Sequence, residues 1–260
     1  MPEPLTIERI PALPAAEFER RYVRTSTPVI LTGMMTNWPA RHLWSFDYFA
    51  EKFGSARVTA GKMRGGVLEV SDKVGIPQVE IEFGRFVQMV REGNADCYIL
   101  SPVAEQVPAM LDDVIPPEAF LKARWHATRL WVSATETCSP LHRDWPENLY
   151  GQVFGRKRFL LVPRTETPRV YSRPFHSGAP NFSRLDAENP DYERFPKFRG
   201  VPRTVVEVNA GEFLYIPRMW WHQVRSLEAS ASINFWFGNG AVALVAMASQ
   251  AYAKLRGLRK

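Results

Sequence analysis

From residue 127 onward the sequence admits little besides an antiparallel β structure, either closed on itself or folded into two layers. Runs rich in apolar, β-branched and aromatic residues recur at 127–134, 140–145, 147–154, 157–162, 203–208, 212–216, 221–226 and 230–237, with turn residues between them. Gly155-Arg156 makes a tight hairpin between two of these runs, and Asn209-Ala210-Gly211-Glu212 makes another turn. Short strands at such spacing bury their inner faces only as a sandwich or a barrel. A chain of 260 residues, 45% of them hydrophobic, can fill that core and carry helices around it. The expected architecture is mainly β with flanking helices, in one domain over 1–260. Within it, 1–126 flanks the barrel with helices and strands, 127–238 is the barrel core, and 239–260 is a C-terminal helix.

The flanking part shows helical and extended patterns in turn. A short helix is expected around 15–21, a buried strand over 27–31, and a helix over 46–53 with Ser45 as its N-cap. Residues 58–60 and 66–70 read as strands joined by a hairpin through 61–65, and Cys97-Tyr98-Ile99-Leu100 as a short strand. Phe83, Phe86, Val87 and Val90 form one stripe of a helix over 82–91 that Gly93 ends. Residues 163–203 interrupt the strand series with Pro-rich, arginine-bearing and aromatic sequence. A loop of that length is a lid or binding element, or else a solvated insertion over one barrel edge. Ala241, Leu244, Val245, Ala248, Tyr252 and Leu255 repeat at helical spacing.

The chemistry concentrates at His142-Arg143-Asp144. Residues two apart on an extended strand face the same way, so this triplet presents an imidazole and a carboxylate side by side. His222, in the run L-Y-I-P-R-M-W-W-H-Q-V, supplies a third ligand on another strand. Two histidines and one carboxylate on one face of a metal are the ligand set of non-haem Fe(II) oxygenases. The other histidines, His42, His126 and His176, have no partners at comparable spacing.

Four blocks extend this reading: P-V-I-L-T-G-M-M-T-N-W-P-A, S-P-L-H-R-D…N-L-Y-G-Q-V-F-G-R-K-R, N-P-D-Y-E-R-F-P-K-F, and G-E-F-L-Y-I-P-R-M-W-W-H…I-N-F-W. Together and in this order they resemble the JmjC-type, cupin-like Fe(II)/2-oxoglutarate-dependent dioxygenases. The nearest resemblance is to the hydroxylase branch, typified by the asparaginyl hydroxylase that acts on hypoxia-inducible factor. The resemblance implies a double-stranded β-helix (jelly-roll) barrel, with His142, Asp144 and His222 holding Fe(II), and 2-oxoglutarate and O2 as co-substrates. Lys157 matches the lysine that anchors the distal carboxylate of 2-oxoglutarate. Alternation turns Lys157 inward if Arg156 and Arg158 point out. Ser139 matches a threonine at the same task, and Tyr98 a tyrosine that touches the co-substrate, with an ordinary buried tyrosine as the alternative. Asn148, Tyr150, Asn234 and Trp236 match pocket positions, and Trp131 is a further wall residue. The two asparagines are the stronger site candidates, because a buried amide needs partners. The intact Asp144 implies hydroxylation, since halogenating relatives lose this carboxylate.

The substrate stays open among three classes. A peptide or protein side chain is the leading reading, a free amino acid or other small metabolite the first alternative, and a modified tRNA base a third. The net charge of +6 is too diffuse to diagnose nucleic-acid binding. Methyl-lysine demethylation fits less well, because many demethylases carry H-x-E and reader domains. The start lacks the pattern of a signal peptide, and no apolar run reaches the roughly 18 residues of a membrane span. Two cysteines, Cys97 and Cys138, argue against a disulfide framework and for a cytoplasmic protein. Relatives dimerise through C-terminal helices, so the helix at 239–260 either forms a homodimer or packs on the barrel.

Overall fold

The computed structural model describes residues 6–242 and 244. Eight strands make its centre: β1 (Trp125–Ser133), β2 (Cys138–Arg143), β3 (Glu147–Phe154), β4 (Lys157–Val162), β5 (Thr204–Val208), β6 (Phe213–Ile216), β7 (Trp221–Ser226) and β8 (Ser230–Gly238). They pair antiparallel in two layers, a large one ordered β1-β8-β3-β6 and a small one ordered β2-β7-β4-β5. The chain crosses between layers at nearly every turn, and its two halves interleave. This is the double-stranded β-helix. Strands β3, β4 and β7 have the bounds read from the sequence; β5, β6 and β8 differ by one residue at one end, and β1 and β2 by one or two residues at both, which leaves Asp144 just past β2.

The hairpin expected at Gly155-Arg156 is instead a crossover, because β3 and β4 lie in different layers and do not pair; Gly155 makes that turn at φ 71°, where a Cβ would stand 2.5 Å from the Ala229 carbonyl oxygen. Glycine is therefore required there twice over, for conformation and for space.

Both faces of the large layer are buried. Its outer face carries Leu130, Val132, Leu149, Val153, Phe213, Ile233 and Phe235 into one cluster with Phe49 and Phe53 of helix Phe46–Phe53 and Phe83, Phe86 and Val87 of helix Phe83–Arg91. Each such fully buried side chain contributes about 1.5–3 kcal/mol. Ser45 caps the first of these helices, its hydroxyl accepting from the Tyr48 amide at 3.1 Å. Strands Val29–Thr32 beside β6 and Cys97–Pro102 beside β1 widen the layer, and Arg9–Pro11, Arg57–Arg64 and Gln78–Glu82 extend it further.

The small layer is covered by the insertion. Leu141, Leu160, Val162 and Trp221 point outward and pack with Val170, Leu185, Phe195, Phe198 and Val201. Residues 163–203 thus carry an apolar core of their own onto the outside of the barrel. The insertion also extends the edge of β2, where the Arg143 amide donates to the Asn181 carbonyl at 3.0 Å and the Ser183 amide to that of Leu141 at 2.8 Å. Arg173 and Arg184 both pair with Asp72, tying the insertion to the loop after Val67–Leu68.

Three local expectations change. The hairpin after Arg57–Arg64 turns at Gly65-Gly66, both at positive φ, while Gly61 lies inside the strand. Its return strand is only Val67–Leu68. The first helix is an α turn, Ala15–Phe18, followed by a π turn, Glu19–Val23. Strand Arg9–Pro11 is too short to show a period, whereas Gln78–Glu82 does alternate, with Val79 and Ile81 on one face, and the sequence reading missed it. The C-terminal helix and the homodimer expected from it fall at 239–260, of which only 239–242 and 244 are described; residues 240–242 and 244 are helical.

Candidate active site

Register builds the site. Strands β2 and β7 set His142 directly opposite His222, both facing the barrel interior, and their ring centroids lie 4.1 Å apart. Each ring donates from Nδ1 to the carbonyl two residues earlier, His142 to Pro140 at 2.8 Å and His222 to Trp220 at 3.1 Å. Those bonds fix both tautomers and leave each Nε2 lone pair free for a metal. Asp144 follows the end of β2, held by the Met219 amide donating to its carbonyl at 2.8 Å. Its Oδ2 stands 3.6 Å from His222 Nε2. One ligand atom from each of the three residues lies within 4.8 Å of the others.

The donor set fits a divalent cation. Burial, and next the neighbouring His142, push His222 well below its ordinary value, so its imidazole is neutral as a ligand must be. Burial lifts the Asp144 carboxyl above the usual carboxylate range, and a cation at this point would restore its charge. Asn148 orients that carboxylate, Nδ2 donating to Oδ2 at 3.0 Å, and Asn234 in turn donates to Asn148 Oδ1 at 3.1 Å. The chain Asn234–Asn148–Asp144 spans β8, β3 and the turn after β2, which no single strand could supply.

Lys157 is buried behind the wall of the same cleft, against Tyr98 and Tyr150. It is fully buried, while Arg156 and Arg158 point outward to Glu207 at 3.0 and 3.3 Å. Its Nζ donates to the Tyr98 hydroxyl at 3.0 Å and lies 5.9 Å from the centroid of the Tyr150 ring. No carboxylate pairs with it among the described residues, and burial lowers its pKa from 10.5 to about 7. A buried ammonium with one neutral partner is costly by itself and fits an anionic ligand. Burial also raises the Tyr98 and Tyr150 phenols, so both remain neutral donors.

Nine of the residues singled out from the sequence line the cleft, and Lys157 and Trp236 stand behind that lining. Tyr98, Trp131, Ser139, His142, Asp144, Asn148, Tyr150, His222 and Asn234 line one cleft. Trp236 meets Trp131 edge-on with centroids 6.3 Å apart, and the Arg129 guanidinium lies 5.3 Å from the Trp236 ring centroid.

Sequence reasoning missed two groups. Phe159, Ile216 and Val224 add apolar wall, and alternation from Lys157 and His222 carries the signal for Phe159 and Val224. Phe182 stacks on His142 at 5.0 Å and 17°, and nothing in the aperiodic insertion marks it.

Comparison with known proteins agrees with this geometry. Residues 14–241 match the model of the family described as "Cupin-like domain". A lysine-specific demethylase of Arabidopsis thaliana, JMJ30, is 31% identical over 244 residues, covering 90% of this chain and 55% of the relative. Lysine-specific demethylase 8 of Xenopus tropicalis is 28% identical over 236 residues, covering 85% of this chain and 50% of the relative. The human bifunctional peptidase and (3S)-lysyl hydroxylase JMJD7 is 27% identical over 256 residues, covering 85% and 80%. The chain spans about half the length of the first two.

Proposed function

The chain belongs to the cupin-like JmjC family of 2-oxoglutarate oxygenases, and on that premise we propose that it hydroxylates an unactivated C–H bond on a peptide or protein side chain. The observation that carries the reading is the pairing, within one cleft, of a convergent His142/Asp144/His222 set with a buried ammonium, Lys157, that has no acidic partner among the described residues. The first would hold Fe(II) and the second the distal carboxylate of 2-oxoglutarate, so one barrel contains both halves of the required site.

Bound iron supplies oxygen activation, coupled to oxidative decarboxylation of 2-oxoglutarate to succinate and CO2. The protein supplies position and exclusion of water. Asn148 holds the Asp144 carboxylate in one orientation, and the carbonyls of Pro140 and Trp220 hold the two imidazoles. Tyr98 and Ser139 would join Lys157 in holding the distal carboxylate, and Trp131, Trp236 and Tyr150 wall the cleft. The names of the relatives support a protein side chain as target, since they include a lysyl hydroxylase and lysine-specific demethylases.

Those demethylase names favour a second reading as well. Hydroxylation of an N-methyl carbon of lysine gives a hemiaminal that loses formaldehyde, so both outcomes begin with the same C–H step. The test is protein purified without oxygen, supplied with Fe(II) and 2-oxoglutarate, and offered peptides, methyl-lysine peptides and free amino acids. Succinate release with a gain of about 16 Da on a peptide, an oxygen inserted into a C–H bond, supports hydroxylation. A loss of about 14 Da from a methylated peptide moves the assignment to demethylation. Efficient turnover of a free amino acid, with peptides ignored, moves it to a small-molecule hydroxylase.

A further inference from the structure

One turn carries two of the bonds that hold the metal end. It lies at 217–220 between β6 and β7 and is closed by the Trp220 amide, which donates to the Pro217 carbonyl at 3.1 Å. From it the Met219 amide donates to the Asp144 carbonyl at 2.8 Å, and the Trp220 carbonyl accepts from His222 Nδ1 at 3.1 Å. Two of the three ligands therefore depend on the shape of this turn. That shape is not a relaxed one. Met219 stands at φ 66°, in the left-handed region that residues with a Cβ seldom adopt. Such a conformation persists only where its surroundings hold it.

Glu147 is the side chain that holds it. It opens β3 and is buried, and its Oε2 accepts both from the Tyr215 hydroxyl at 2.6 Å and from the Arg218 amide at 2.9 Å. Tyr215 stands on β6 just before the turn and Arg218 inside it, so a single carboxylate oxygen ties strand and turn to β3. Tyr215 is itself fully buried, its ring edge-on to Phe18 with centroids 5.0 Å apart. Both bonds end on a carboxylate, the stronger kind of acceptor. The next residue, Asn148, bonds the Asp144 side chain. Asp144 is thus held twice from the start of β3: its carboxylate by Asn148, and its backbone, through the turn, by Glu147.

We propose that Glu147 is a positioning residue for the metal centre. By accepting from Tyr215 and Arg218 it keeps the 217–220 turn in the strained shape that sets Asp144 and His222 for a divalent cation. The inference rests on the metal reading above and extends it to a residue that touches no ligand atom itself.

The test reads Mn(II) affinity by calorimetric titration, the visible absorption of the Co(II)-loaded protein, and denaturant unfolding of the metal-free protein. Glu147→Ala is expected to weaken Mn(II) about ten-fold, as loss of support around metal ligands commonly does, and to alter the Co(II) band. Glu147→Gln keeps an acceptor at the same reach and should restore most of both signals. Glu147→Met, similar in length but without an acceptor, should behave as alanine does and gives the answer if Glu147→Ala fails to fold. Asp113→Ala is the control. Asp113 is another buried carboxylate, bonded by Trp44 at 3.0 Å and Tyr48 at 2.9 Å, and none of the three lines the cleft. Its loss should lower stability and leave both metal signals unchanged. Wild-type Mn(II) affinity and Co(II) spectrum in Glu147→Ala or Glu147→Met overturn the role of Glu147, whatever the change in stability. An equal loss of metal in Asp113→Ala overturns it too, because destabilisation alone would then account for the effect. A wild type that takes up neither ion overturns the metal reading itself.

Discussion

The two ends of the cleft are built on opposite principles. At the metal end the polar groups are held by the protein: both imidazoles donate to backbone carbonyls, and Asn148 and Asn234 form a relay to Asp144. At the other end Lys157 is fully buried with only the Tyr98 hydroxyl as its hydrogen-bond partner. The first end is pre-organised, so a metal meets ligands already in place. The second is electrostatically incomplete, so it gains most when an anion arrives. Replacing residues at the metal end should therefore remove chemistry, while replacing them at the lysine end should change affinity and stability.

The largest effect belongs to the metal end. His142→Ala, Asp144→Ala or His222→Ala should reduce succinate formation to background, read by mass spectrometry, because three ligands are the minimum for this set. Activity near wild type in any of the three would break the contrast at its stronger side.

Lys157→Ala comes next and should weaken 2-oxoglutarate ten- to a hundred-fold, on the basis of about 1.5–3 kcal/mol for a hydrogen bond to a charged group. Arg156→Ala and Arg158→Ala, whose ion pairs with Glu207 are partly exposed, should each change that affinity by less than about two-fold. Equal effects at all three positions would erase the distinction between inward and outward side chains on β4.

The incomplete end also makes a pH prediction. The folded value of Lys157, about 7, lies below its ordinary 10.5, so between those limits the unfolded chain binds more protons than the folded one. Stability of the ligand-free protein should accordingly rise with pH from 7 to 10.5 and lose that slope below 7, where the penalty of the buried ammonium is greatest. Lys157→Met should remove that slope and stabilise the ligand-free protein most at neutral and lower pH, measured by denaturant unfolding. Affinity for 2-oxoglutarate should move the other way, falling about ten-fold per pH unit above 7 as the free lysine loses its proton. A flat profile in both measurements would mean that the ammonium keeps its charge without help.

The smallest effect tests whether the metal end depends on the insertion. Phe182 stacks on His142, so Phe182→Ala should loosen that ring and reduce Mn(II) affinity about ten-fold, as supporting residues around metal ligands commonly do. Affinity for 2-oxobutyrate relative to 2-oxoglutarate should not change. Unchanged metal affinity would show that the backbone carbonyls suffice to hold the imidazole.

Legibility followed the same division. His142 and Asp144 could be paired from the sequence because spacing of two is a local property of an extended chain, and Lys157 could be turned inward because Arg156 and Arg158 flank it. The bounds of β3, β4 and β7 were readable for the same reason, since apolar runs end there at turn residues. Phe182 was not readable, because no period runs through 163–203 and the residue matters only through its contact with His142.

The sequence by itself determined the eight barrel strands to within two residues, the alternation along each one and the residue types that could hold a metal and an anion. Only the tertiary structure decided that β2 lies against β7 with His142 opposite His222, that β8 faces β3 so that Asn234 reaches Asn148, and that the insertion covers the small layer. The physical reason is range. Alternation and turn chemistry act between residues a few positions apart, whereas layer order and register are chosen by burying both faces of the large layer and the outer face of the small one, a choice the whole chain makes together.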